Sequence, residues 1–179
     1  VAALQKYNSK ATFFYVGTQA TKFPSTVKRV ADAGNEIGNH SYKHENLPKL
    51  SQAAIESSIN KTNEILRNQS GQSVSLVRPP YGATAGSVKP ALRATGQPSI
   101  LWSIDTLDWK TKNTHNTVNV VLTQVKDGDI ILMHSIYKQS AEAAEQIIPA
   151  LKERGYQLVT VSELAKARGI NMEAGKNYG

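Results

Sequence analysis

The chain has 179 residues, 40% of them hydrophobic and 20% charged, which is room for one domain with a sizeable core and an ordinary balance for a globular protein. It has no cysteine, which excludes a disulfide framework and a thiolate metal site, so any metal must be held by His, Asp or Glu. No apolar run approaches the ~20 residues of a membrane span, and the net charge of +7 is scattered rather than gathered into basic runs, which predicts a solvated basic surface and no nucleic-acid groove.

Residues 1–7 lack a basic n-region and a cleavage pattern, and predict the middle of a helix rather than a signal peptide. Residues 10–17 pass from a charge into Ala-Thr-Phe-Phe-Tyr-Val and a glycine, the aromatic and β-branched content of a short buried strand. Pro24 opens a helix whose Val27, Val30 and Ala31 share one face. A second strand, 35–39, runs directly into His40. After Pro48, Leu50-Ser51 is the entry of a helix lined by Ile55, Ile59, Thr62 and Leu66. A third strand, 74–77, is stopped by Arg78-Pro79-Pro80-Tyr81-Gly82, where two prolines forbid continuation.

A helix over 87–94 follows, then a strand over 99–104 leading into Asp105-Thr106-Leu107-Asp108-Trp109. The spacing predicts a helix over 118–125, a buried strand over 129–133 ending at His134, a long helix over 141–154, a strand over 157–160 and a helix over 162–168. Residues 171–179 read as a loose tail after a domain spanning 1–170. Six strands alternating with helices are the signature of βαβ units around a parallel sheet. His40, Arg78, the 105–109 loop and His134 all fall at the C-terminal ends of predicted strands, the positions that host active sites in parallel α/β folds.

His40 and His44 have the spacing of two imidazole ligands from one turn of chain, or of two unrelated surface histidines. Arg78 either pairs with a surface carboxylate or orients a catalytic one, with a backbone N–H near Tyr81 facing a developing oxyanion. Asp108 either caps its turn or accepts a hydrogen bond from an imidazole and favours its protonated, acid-competent form. His134 is the natural imidazole for that bond, and His115, in a polar stretch, faces solvent.

Taken in order, His-Ser-Tyr-Lys-His, Arg-Pro-Pro-Tyr-Gly, Asp-Thr-Leu-Asp-Trp and Leu-Met-His resemble the second to fifth motifs of the polysaccharide deacetylases of carbohydrate esterase family 4, the NodB-homology domain. The resemblance covers about residues 1–168. It implies a distorted, incomplete (β/α) barrel and metal-dependent hydrolysis of acetyl amides, most plausibly on N-acetylglucosamine residues of peptidoglycan, with chitin oligosaccharides or acetylated xylan as other family substrates. It implies His40 and His44 as metal ligands, with zinc the expected ion and cobalt an alternative. Arg78 would hold the catalytic base, and the Tyr81 N–H would bind the oxyanion. His134 would act as the acid tuned by Asp108, while Trp109 and Leu132 would wall the acetyl pocket.

The family's first motif, Thr-Phe-Asp-Asp-Gly, is not present. It supplies the base and the third ligand, so the expectation is a chain lacking the first strand, with that segment upstream or on a separate chain. Glu45 and Asp105 are the reserve ligands. An extracellular or wall-associated bacterial setting is the expected location. The rival expectation is an inactive carbohydrate-binding module of the same fold.

Overall fold

The computed structural model describes residues 1–179. Helix α1 (Ala2–Lys6) leads to strand β1 (Thr12–Tyr15), helices α2 (Gly17–Lys22) and α3 (Pro24–Asp32), and strand β2 (Glu36–Asn39). Helix α4 (Gln52–Ser70), helix α5 (Val88–Ala94), and strands β3 (Ser99–Ile100) and β4 (Ile104–Asp105) come next. The chain finishes with helices α6 (Asp108–Thr111) and α7 (Thr114–Gln124), strand β5 (Ile131–Leu132), helices α8 (Lys138–Glu153) and α9 (Val161–Ala167), and strand β6 (Asn177–Tyr178). These elements form two compact units, one of residues 1–11, 102–159 and 179, the other of residues 12–101 and 160–178.

The second of these units is a parallel sheet backed by helices. β1 and β2 pair in parallel from Thr12↔Glu36 to Tyr15↔Asn39, Val77 bridges Asn39 on one side and Ser99 on the other, and β3 pairs in parallel with β6. Burial of the predicted faces holds the helices on: Leu47, Ile55, Ile59, Val77, Val88, Ala91 and Leu92 make one fully buried cluster. α4 begins at Ser51, whose hydroxyl accepts from the Ala54 N–H, and ends at Gly71, which takes a left-handed φ of 70° that costs glycine nothing. In the other unit β4 and β5 pair in parallel. There α7 and α8 pack through Val121, Ala143, Ile147 and Leu151.

Four expectations change. The strand expected over 74–77 narrows to the bridge at Val77, because side-chain amides occupy the sites a ladder would use. Gln72 accepts from the Ile37 N–H at 3.2 Å and donates to Asn35 O at 2.8 Å, while Gln97 donates to Val74 O at 2.9 Å. The strand expected over 99–104 divides into β3 and β4, in separate units. No strand forms over 157–160; Thr160 instead caps α9 in a reciprocal pair with Glu163.

The tail expected to be loose is tied down: Ser99 N–H donates to Lys176 O, Leu101 N–H to Tyr178 O, and Gly175 N–H to Gln97 O. Its sequence carries no apolar alternation because edge pairing here is made by backbone groups, which leave no pattern in the side chains. No helix is long and apolar enough to cross a membrane.

Candidate active site

In the unit of residues 12–101 and 160–178, β2 delivers His40 at its end, and the His40 N–H donates to Tyr15 O at 2.9 Å, prolonging the pairing with β1. The preceding Asn39 is fully buried. Its amide donates to Ile59 O and to Asn63 Oδ1, and its Oδ1 accepts from the Ser41 N–H, so the chain turns sharply from strand into loop. The His40 and His44 rings lie edge to face with centroids 4.9 Å apart. His40 Nδ1 lies 2.5 Å from Arg78 O. A carbonyl can only accept, so Nδ1 carries the hydrogen and Nε2 the lone pair. That is the outer-shell arrangement of a metal-ligating histidine. His44 Nδ1 lies 3.2 Å from the Tyr81 hydroxyl.

Two imidazoles so placed fit two nitrogen ligands of a zinc-like ion. No group of three or more His, Cys, Asp or Glu side chains has metal-holding geometry. The reserve ligands are engaged elsewhere. Asp105 Oδ1 accepts from the Leu107 N–H. Glu45 accepts from Ser41 Oγ at 2.6 Å, the Lys43 N–H at 2.9 Å and Ser58 Oγ at 3.1 Å. Burial works against the Glu45 charge, but these bonds outweigh it and hold its pKa below the usual carboxylate value.

Arg78 is buried, with Nε donating to Ile100 O and Nη2 to Leu101 O. Its guanidinium stacks on the Phe14 ring at 4.3 Å from the centroid. Phe14 in turn packs against Gly38, where a Cβ would come within 2.5 Å of the ring. Glycine at 38 is therefore what lets Phe14 support Arg78. Burial pushes the guanidinium down to about 10, so it stays charged at neutral pH. In the turn after it, Gly82 N–H bonds to Pro79 O and Ala83 N–H to Pro80 O, neither of which uses the Tyr81 N–H. Tyr81 has φ 62° and is 67% exposed.

In the unit of residues 1–11, 102–159 and 179, Asp108 opens α6 and is 1% exposed. Its Oδ1 lies 2.7 Å from His134 Nδ1 and accepts from the Trp109 N–H at 2.8 Å. Its Oδ2 accepts from the His134 N–H at 2.7 Å and from Ser140 Oγ at 2.6 Å. Burial raises the Asp108 pKa, but the bonds from the His134 ring, Ser140 and the His134 N–H outweigh it, and the net direction is down. A carboxylate fixed by four donors locks the His134 ring and its tautomer, with the proton on Nδ1 facing Asp108. Leu132 is buried in β5 and Trp109 is 46% exposed on α6. Tyr137 sits edge to face with His134, with centroids 6.4 Å apart. His115 is exposed, as expected.

Sequence reasoning missed Asn39, Ser140 and the structural part played by Glu45. Asn39 and Ser140 act through partners distant in the chain, and Glu45 through Ser58 on α4 as well as its neighbours Ser41 and Lys43. These loops carry four of the six non-glycine residues with positive φ, Ser41, His44, Tyr81 and Leu107, the others being Asn8 and Lys112; the conformation costs of order 1–3 kcal/mol each and clusters at functional sites.

The polysaccharide deacetylase family profile matches residues 1–100, and the chain belongs to that family. It is 41% identical over 166 residues to the peptidoglycan-N-acetylmuramic acid deacetylase PdaC of Bacillus subtilis, covering 93% of this chain and 35% of PdaC. The solved PdaC structure matches with a TM-score of 0.88 over 94% of this chain and 82% of the PdaC chain. It is 38% identical over 175 residues to the peptidoglycan-N-acetylglucosamine deacetylase PgdA of Listeria monocytogenes, covering 98% of this chain and 36% of PgdA. The chain thus spans about a third of the length of these two relatives. It also matches the structure of BA3943, a pseudoenzyme of carbohydrate esterase family 4 from Bacillus anthracis, at 30% identity and a TM-score of 0.88, covering 99% of this chain and 63% of that one. The fold is therefore that of the family 4 deacetylases, with which the incomplete (β/α) barrel expected from the motifs is compatible.

Proposed function

We propose that the protein hydrolyses the N-acetyl amide of amino sugars in a bacterial cell-wall polysaccharide, with N-acetylglucosamine residues of peptidoglycan as the substrate and an extracellular, wall-associated setting. The observation that carries this reading is the buried Asp108 carboxylate holding His134 at 2.7 Å, in a chain whose relatives include a peptidoglycan-N-acetylglucosamine deacetylase. The net charge of +7 favours an anionic wall.

The reaction adds water to the acetyl carbonyl, breaks the C–N bond and releases acetate and a free amine. The amine is a poor leaving group until protonated. His134 supplies that proton from Nε2 while Asp108 accepts the hydrogen bond of Nδ1–H and stabilises the imidazolium. The Tyr81 N–H serves the oxyanion, its left-handed turn keeping that donor out of the turn's own hydrogen bonds. Trp109 and Leu132 receive the acetyl methyl, and Arg78 holds a carboxylate base in place.

His40 and His44 would hold a divalent ion, zinc in preference to cobalt, which would supply a Lewis acid for the acetyl carbonyl and a lowered pKa for the attacking water. A third ligand and a carboxylate base are needed beside them, the roles that the resemblance gives to the family's Thr-Phe-Asp-Asp-Gly motif. A second reading, an inactive carbohydrate-binding module, is favoured by the two-donor set and the pseudoenzyme relative. It requires sugar binding without any metal dependence.

Isothermal titration with zinc tests the ligand pair. The expected result is binding that His40→Ala or His44→Ala weakens by at least tenfold. Zinc affinity indifferent to both substitutions would refute the metal assignment.

A further inference from the structure

The loop between the two imidazoles is short, irregular and strained, with Ser41 at φ 63° and His44 at φ 59°. Ser41 has a local partner, its N–H donating to Asn39 Oδ1 at 2.8 Å, but two strained residues in so short a loop also need support from the surroundings. Two N–H groups at the start of α2 secure its near half: Gly17 donates to Ser41 O and Thr18 to Tyr42 O, both at 2.9 Å. The half that carries His44 is held differently. Glu45, the residue after His44, folds its carboxylate back under the loop. Its Oε2 accepts from Ser41 Oγ at 2.6 Å and from the Lys43 N–H at 2.9 Å. Its Oε1 accepts from Ser58 Oγ at 3.1 Å, and Ser58 Oγ itself accepts from the Tyr42 N–H at 2.9 Å. Ser58 is buried on α4, so one carboxylate ties the beginning of the loop, its middle and the longest helix of the unit to each other.

We propose that Glu45 is the positioning residue of the His40–His44 pair, setting the separation and angle of the two rings through the Ser41, Lys43 and Ser58 bonds without ligating the metal. The proposal rests on the reading of His40 and His44 as metal ligands. An outer-shell group that fixes a ligand's orientation typically changes metal affinity 10- to 100-fold. Glutamine at 45 is nearly isosteric, but only one of its two ends can accept, so either the Ser41 and Lys43 donors or the Ser58 hydroxyl loses its acceptor.

The test pairs zinc titration with backbone amide exchange on the 179-residue chain. Glu45→Gln is expected to weaken zinc binding by about tenfold or more and to speed exchange at the Tyr42 and Lys43 N–H groups. Amides in the middle of α4 should keep their protection. Ser41→Ala removes one of the three bonds and is expected to give a smaller loss of the same kind; it carries the test if Glu45→Gln does not fold. Unchanged zinc affinity and unchanged exchange at Tyr42 and Lys43 would overturn the proposal. So would weakened zinc binding accompanied by equal loss of protection throughout α4, which is general destabilisation. If wild-type zinc binding does not depend on His40, the metal reading fails by itself. Exchange at Lys43 then still decides whether Glu45 holds the loop.

Discussion

Asp108→Ala is expected to destabilise the protein by about 3–5 kcal/mol, the cost of removing one side of a buried charged network, and to abolish acetyl release. The substitution leaves the Trp109 N–H, the His134 N–H, the His134 ring and Ser140 Oγ without the acceptor they share. Buried donors without partners carry their full desolvation penalty. The pH dependence has a definite sign. The Asp108 pKa is lowered in the folded protein, so its stabilisation is fully present above the ordinary carboxylate value of about 3.9. It is lost as pH falls through the depressed value. Denaturation followed from pH 7 into acid should therefore show wild type losing stability through that window. The variant should start lower and change less. Equal stability of the two proteins at pH 7 would show that the network contributes nothing.

His134→Ala is expected to behave oppositely, with a large kinetic effect and a small structural one. Its side chain is about one-third exposed, and removing it leaves Asp108 three of its four donors, so stability should change by about 1 kcal/mol or less. Acetyl release should fall by about 10²–10⁴-fold, the usual contribution of a general acid, in the form of the protein that performs the reaction. Sugar binding should persist. If acetyl release survives in His134→Ala, the proton comes from another group. If wild type binds sugar but releases no acetate under any metal condition, the inactive-module reading holds.

The candidate site was legible in the sequence where its chemistry is carried by residues at strand ends. His134 follows the apolar run of residues 130–133, His40 ends the predicted strand 35–39, and Asp108 sits in a loop just after the predicted strand 99–104, so strand-end position singled them out and the motif resemblance gave them roles. The supports were not legible. Ser140 reaches Asp108 across 32 residues, and Asn39 reaches Asn63 across 24. Nothing in the local pattern of either announces a partner. Glu45 could be noticed as a carboxylate beside the histidines, which suggested a ligand; only the positions of Ser41, Lys43 and Ser58 reveal that its oxygens are engaged.

The fold shows the same division. Helical faces such as Ile55, Ile59, Thr62 and Leu66 on α4 were plain from their spacing, because burial enforces a period of 3.6. The edge strand β6 and the Gln72 and Gln97 substitutes for a ladder were not, because they are built from backbone and amide groups that carry no hydrophobic signature.

The central claim is metal-dependent acetyl hydrolysis, and mass spectrometry of N-acetylglucosamine oligomers and peptidoglycan fragments tests it most directly. The incubations would contain zinc or a chelator, and would compare this chain with the same chain joined to an upstream segment bearing the Thr-Phe-Asp-Asp-Gly motif. The account predicts acetyl loss by the extended protein that the chelator abolishes and zinc restores, with little or none from the 179 residues alone. Acetyl loss that persists in the chelator would contradict it.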